Sequence, residues 1–280
     1  MEVRLAELEG PLSSAALRVY ADRLLERGDL HGEFITLQCE RAERGGPPSV
    51  REEQLRREVL EPRLKEVAGP KLRVTRWELG LIHELTLEVD TAPITALAAI
   101  AGRAESQGLT RLELDGQAWN GGGDLTAFWA SLPNTARFPR LEELSVRVGP
   151  TLDDPRVEGP IAIGDVEPLY AAYPSLRVLE LHGVAHHLGQ VVLPELRRFA
   201  ASELRPECIP SLVGAYWPCL ETLELEFGPA PAESEPVFAA LLSAPMSAAL
   251  TRVKVKSPWP EFFRAALPRS PLGKGRVIET

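Results

Sequence analysis

Residues 174–183, PSLRVLELHG, carry the pattern on which the rest of the chain is organised: Leu176-x-x-Leu179-x-Leu181. The same spacing returns as Leu109-x-x-Leu112-x-Leu114, Leu141-x-x-Leu144-x-Val146, Leu220-x-x-Leu223-x-Leu225 and Leu250-x-x-Val253-x-Val255. Looser copies are Ile82-x-x-Leu85-x-Leu87 and Leu196-x-x-Phe199-x-Ala201. An internal repeat decides architecture before local propensity does, because one unit cannot bury its apolar face alone and must stack on the next. Centred on the middle apolar residue, the seven copies fall at 85, 112, 144, 179, 199, 223 and 253, with spacings of 27, 32, 35, 20, 24 and 30 residues.

Within each copy the alternation is that of a strand with one buried face. Apolar-faced stretches between copies read as helices. The longest is PITALAAIAGRAESQG, with Ile94, Leu97, Ala98 and Ala101 on one side. DLTAFWASL, VEPLYAAY, IPSLVGAY, EPVFAALL and PEFFRAAL follow. LPELRRFAAS (193–202) comes too soon after VAHHLGQVV for its unit to hold a full helix, and RVI near the C-terminus reads as a short last strand. Strand, helix and parallel strand in repetition predict a right-handed α/β solenoid over residues 71–280: a curved parallel sheet of about seven repeats. The pattern resembles the leucine-rich repeat, whose units run at about 20–29 residues. One feature departs from it: the position after the strand, usually Asn or Cys, holds Gln117, Gly149 and Val184, so a side-chain ladder there is not expected. A doubly wound sheet would need continuous apolar strands and a glycine-rich phosphate turn, and neither is found.

Residues 1–70 read as a separate helical domain. In SSAALRVYADRLLERGD, Leu17, Tyr20 or Ala21, and Leu24 fall at helical spacing, with Ser13 or Ser14 as N-cap and Gly28 as the stop. Asp29 begins the next turn, and GEFITLQCERAE forms a second helix broken by GGPPS at 45–49. REEQLRREVL gives a third, with Leu55 and Val59 on one stripe, which Pro62 kinks or ends; Gly69-Pro70 closes the segment. LRVYADRLLERGDLHGEFITLQCE resembles the signature of the bacterial repeat-companion domain, whose usual form is roughly LVYADWLEERGDPRGEFIRLQ. The matching positions are Tyr20, Ala21, Asp22, Leu24, Glu26, Arg27, Gly28, Asp29, Gly32, Glu33, Phe34, Ile35, Leu37 and Gln38. Arg23, Leu25 and Leu30 stand where the family has Trp, Glu and Pro. The resemblance implies an N-terminal helical cap on a repeat array in a bacterial protein, and it implies no activity.

The 31 Lys and Arg against 40 Asp and Glu give a net charge of −9, which disfavours a nucleic-acid partner, since phosphate binding needs a basic surface. No apolar run approaches the roughly 18 residues of a membrane span, and MEVRLAELEG is acidic where a signal peptide is basic and then apolar, so no membrane partner is expected. Cys39, Cys208 and Cys219 have neither metal-type nor redox-type spacing and read as buried free thiols in a reducing cytoplasm.

Residues that invite a chemical role have simpler readings. Gly121-Gly122-Gly123 lacks the glycine spacing and the Lys-Ser/Thr of a phosphate loop. His182, His186 and His187 lie where Gly183 and Gly189 argue for a loop, so a shared metal is not expected. No Gly-x-Ser-x-Gly elbow occurs, and Asp153-Asp154 reads as a solvated loop. No metal or cofactor is expected.

The positions between the buried residues of each strand project onto the opposite, concave face. They are Glu84, Thr86, Glu88; Arg111, Glu113, Asp115; Glu143, Ser145, Arg147; Val178, Glu180, His182; Arg198, Ala200, Ser202; Thr222, Glu224, Glu226; and Arg252, Lys254, Lys256. The face reads as acidic along most of its length and basic on its last strand, a sign-segregated surface suited to a charged protein partner. The expected function is therefore non-catalytic binding of another protein on this face by a monomeric chain. The alternative is an enzyme or enzyme subunit with a site where the N-terminal helices meet the first repeats, near Tyr20, Asp22, Asp29 and Glu33.

Overall fold

The structure is a computed structural model that describes residues 13–69, 71–88, 93–116, 125–135, 137–148, 162–185, 187–228, 235–245, 247–257 and 259–279. Among the described residues the fold is α/β with a mostly parallel sheet whose nine strands follow chain order. The glycine cluster at 121–123, His186, Asp153-Asp154, Gln117 and Gly149 lie outside the described residues.

The chain forms two compact units. The first spans Met1–Leu87, Ile94–Arg111 and Thr135–Arg140; the second spans Glu88–Pro93, Leu112–Asn134 and Leu141–Thr280.

In the first unit, α1 (Ser14–Leu25) starts at Ser13, whose hydroxyl accepts the Ala16 N–H, and buries Leu17, Tyr20, Ala21 and Leu24. Asp29 caps α2 (Leu30–Arg44) by accepting the His31 N–H at 3.0 Å. The two helices touch at Gly32, where an added Cβ would stand 2.5 Å from the Ala21 carbonyl oxygen. The third helix does not end at Pro62. An α-turn segment, α3 (Val50–Leu55), passes through a π-helical turn at Arg56–Leu60 into α4 (Glu61–Ala68). Proline can neither donate to nor clear the carbonyl four residues back, and the wider π turn just before it accommodates that loss while the helix continues. Leu55, Leu60 and Leu64 stay buried throughout.

β1 (Leu72–Glu78) and β2 (Leu81–Glu88) then pair antiparallel, which corrects the expectation that strands in this region run parallel. The reason is the connection: Leu79 and Gly80 alone join them, and two residues can only turn a hairpin. Both have positive φ, 51° and 80°, as a type I′ turn requires. Trp77 meets Phe34 of α2 edge to face at 5.4 Å. α5 (Pro93–Ala101) follows.

The second unit holds β3 (Arg111–Gly116) from Leu112 onward, α6 (Thr126–Thr135) to Asn134, β4 (Glu143–Val148), α7 (Glu167–Ala172), β5 (Val178–Ala185) and β6 (Arg198–Leu204). It continues with α8 (Ile209–Val213), β7 (Thr222–Phe227), α9 (Glu235–Ser243), β8 (Arg252–Lys256), α10 (Pro260–Ala266) and β9 (Val277–Glu279). Among the described residues no helix forms between β5 and β6, in keeping with their short spacing. From β4 to β9 every neighbouring pair is parallel. Parallel crossovers take one hand, and each strand is added on the same side of the last, so the connections fall on one sheet face. That face carries two apolar rows set by register: Leu144, Leu179, Phe199, Leu223 and Val253, then Val146, Leu181, Ala201, Leu225 and Val255. All are buried. Behind them Phe238 of α9 meets Phe227, Trp259 and Phe263 at 4.8, 5.1 and 5.4 Å.

A backbone ladder repeats ahead of these strands. The amides of Arg177, Arg197, Glu221 and Thr251 donate to the carbonyls of Glu142, Arg177, Arg197 and Glu221 at 2.7, 2.8, 2.8 and 2.9 Å. Each residue is the one after the first leucine of its copy. Side-chain ion pairs, Arg177–Glu142 and Arg197–Glu221, both at 3.1 Å, run alongside.

Candidate functional site

On the other face of the second unit most of the described side chains are half-buried or exposed, and register arranges them in rows across the strands. One row runs Glu143, Val178, Arg198, Thr222, Arg252. The next runs Ser145, Glu180, Ala200, Glu224, Lys254. The third runs Arg147, His182, Ser202 and, past a register shift, Glu226 and Lys256. Ser145 and Ala200 are buried, unlike their half-exposed or exposed neighbours, because these short side chains lie below the tips of the long ones.

Arg198 organises the middle of the face. Its Nη1 lies 3.2 Å from Glu180 Oε1 and its Nη2 3.0 Å from Glu224 Oε1. Ala200, in register between the two glutamates, leaves room for that fork. On either side Lys256 reaches Glu226 at 3.1 Å, Lys254 reaches Glu279 at 3.7 Å and Arg147 lies 4.0 Å from Glu113. This corrects the expected sign segregation. Acidic and basic residues on adjacent strands interleave and neutralise one another, because strand spacing of about 4.8 Å brings long opposite charges within reach. The basic residues of β8 stand beside the acidic residues of β7, not apart from them.

Glu180 is the most strongly perturbed carboxylate on the face. The adjacent His182 imidazole holds it down, burial opposes, and Arg198 and Ser145 add to the lowering, leaving it at about 2. It is a fixed negative charge near neutrality and not a proton carrier. His182 sits with Nε2 4.0 Å from Glu180 Oε2 and Nδ1 3.2 Å from Ser202 Oγ. Just beyond, β5 and β6 lose register, and Glu203 takes a positive φ of 57°. His182, Ala200, Ser202, Glu224, Glu226, Lys254 and Lys256 line an open depression of about 140 Å³.

The remaining predicted face residues differ in exposure. Asp115 is half-buried on β3 and Glu143 on β4. Arg111 is exposed and Glu84 half-buried in the first unit, where Arg76 lies 3.5 Å from Glu84. Glu88 is exposed, while Thr86, expected on the open face, is buried.

The residues of the alternative site have structural partners. Burial raises the Asp29 carboxyl, but hydrogen bonds from Arg63 and the His31 N–H outweigh it and leave it below its ordinary value. Arg51 grips both oxygens of Glu33 at 2.7 Å and lowers it likewise. The Asp22 carbonyl accepts the Glu26 N–H, and Tyr20 packs its ring edge against His31. Asp29 and Glu33, held ionised in this way, are poor proton carriers at neutral pH.

The sequence reading named Gln38 only as a signature match and did not name His31, and it missed the contact they make together. His31 Nε2 donates to the Gly80 carbonyl at 2.7 Å, and Gln38 Oε1 accepts the Gly80 N–H at 2.8 Å. Gln38 Nε2 also donates to buried Glu52 at 2.9 Å. The available signal was a histidine and a glutamine seven residues apart, one face of a helix, beside an apolar stripe. Cys39 and Cys208 are buried free thiols as expected, but Cys219 is exposed, in the turn before β7. Among the described residues no helix is long and apolar enough to cross a membrane. No protein-family model, no curated protein and no solved structure matches this chain.

Proposed function

We propose that the chain is a non-catalytic protein-binding module: an irregular leucine-rich-repeat solenoid carrying an N-terminal repeat-companion domain, with its partner bound on the open face of β4–β8. The observation that carries this reading is the forked Arg198–Glu180–Glu224 network on a sheet face whose long side chains are half-buried or exposed. Charged side chains already fixed by neighbours lose little further freedom on binding, and an interleaved pattern of signs discriminates between partners more than it adds affinity. The backbone ladder that recurs at the same place in successive copies supports the repeat reading. The acidic net charge of −9 fits a protein partner better than a nucleic acid, and free thiols fit a monomer working in a reducing cytoplasm.

The test is affinity capture from cell extract with three forms of the chain: native, R252E/K254E/K256E, and V50E. Val50 is 89% exposed on a helix of the first unit and serves as the charge-change control. A protein held by the native and V50E forms and lost by the triple variant supports the reading. Equal retention by all three, loss with V50E alone, or no retained protein contradicts it.

A further inference from the structure

Glu224 and Lys254 are direct register partners on β7 and β8, yet they turn away from each other. Glu224 leans back to Arg198 at 3.0 Å, and Lys254 leans forward to Glu279 at 3.7 Å. At the next rung the outcome is different, since Glu226 and Lys256 close on each other at 3.1 Å. An opposite-charge pair about one strand spacing apart, some 4.8 Å between backbones, has thus been left open. The depression of about 140 Å³ lies over this gap, with Ser202 and His182 on its far side. It is too small for a drug-sized ligand, which needs roughly 300 Å³ or more, but it has room for a small polar molecule.

We propose that this depression binds a small zwitterion of the α-amino-acid class. Glu224 has given one oxygen to Arg198 and retains acceptor capacity on the other, which suits an ammonium group. Lys254 shares one carboxylate contact and retains donors, which suits a carboxylate. The two charged groups of an α-amino acid are joined through one carbon, so each can address the side chain on its own strand. Ser202, hydrogen-bonded to His182 at 3.2 Å, supplies a further hydroxyl along the wall. A singly charged molecule addresses only one side of the gap and leaves the remaining capacity of the other side unused.

A second observation points to the same place. The β5–β6 register shift begins just after His182, the β6–β7 shift falls between Ala201 and Leu204 and so takes in Ser202, and the strained backbone of Glu203, with φ 57°, follows Ser202 directly. Bulges re-aim the side chains beside them, and a non-glycine residue held at positive φ is a strain that collects at ligand sites.

Calorimetric titration of the full chain, with no protein partner present, tests the proposal. Glycine, L-serine and L-glutamine are the probes; acetate, methylammonium and glycinamide carry one charge each. The amino acids are expected to bind, with the singly charged analogues weaker by about tenfold or more, and E224Q and K254M each weakening the amino acids by a similar factor. Lys254→Met leaves the Arg198 fork intact, so it decides the question if Glu224→Gln disturbs the fold. No amino-acid binding up to about 10 mM, equal affinity for acetate or methylammonium, or undiminished binding by K254M would overturn the proposal. Because the titration contains no partner, its failure leaves the capture experiment untouched.

Discussion

Gly80 is held from three directions. Its carbonyl accepts from His31, its N–H donates to Gln38, and an added Cβ would stand 2.2 Å from Ile35 Cγ1. A carbonyl only accepts, so His31 Nε2 must carry the proton. Gly80→Ala therefore meets both a clash and a φ of 80°, and the thermal midpoint should fall by the equivalent of about 2 kcal/mol or more. Gln38→Ala removes the acceptor for one buried N–H and a donor to Glu52, which is 3% exposed, and should cost about 2–4 kcal/mol by denaturant unfolding. Glu180 makes a pH prediction. Its folded value of about 2 lies below the ordinary 4.5, so its contribution is complete above 4.5 and is lost as pH falls from 4.5 toward 2. The loss should be about 1–3 kcal/mol, moderated because its Arg198 partner is half-exposed. Stability measured from pH 6 to pH 2 should show a flatter acid limb in E180Q; an unchanged slope would contradict the account of this carboxylate.

Whether an element was legible depended on where its determinants lie. The strands of β3 to β8 follow the Leu-x-x-Leu-x-Leu copies, because alternation with a buried face is a local signal that tertiary contacts only confirm. The helices after Pro93, near Trp129 and near Phe238, and the short β9, were readable for the same reason. β1 was not, since LRVTRWE mixes buried Leu72, Val74 and Trp77 with four exposed polar residues and matches no copy of the repeat. Its hairpin turn also places Leu79, not glycine or asparagine, at a φ of 51°, so the usual turn signal is missing; packing against the α1–α2 core holds it there. The π turn before Pro62 was equally hidden, because it depends on Leu55, Leu60 and Leu64 continuing to find burial beyond a residue that ordinarily ends a helix. At this scale α9 is tied to its surroundings through Phe238. Phe238→Ala vacates a fully buried site touching three aromatic rings and should cost about 3–5 kcal/mol in unfolding free energy. A loss below about 1 kcal/mol would mean that α9 does not pack as described.

At the scale of the whole molecule, the rows of the open face were legible in position and illegible in pairing. Alternation told which residues of β4 to β8 face away from the core, but ion pairs form between strands that lie 20 to 30 residues apart, and their partners follow from register. A list of charges along the sequence therefore suggested an acidic field with a basic end, whereas Arg198, Lys254 and Lys256 each stand against glutamates. Recognition by such a surface should depend on matching individual charges and should weaken with salt, because the pairs at its rim are exposed. The most direct test is a binding titration of the native chain and R252E/K254E/K256E against the purified protein that capture identifies, at low and moderate salt. The account predicts a Kd for the variant weaker by about tenfold or more, together with a reduced salt dependence. Equal affinities and equal salt slopes for the two forms would contradict binding on this face.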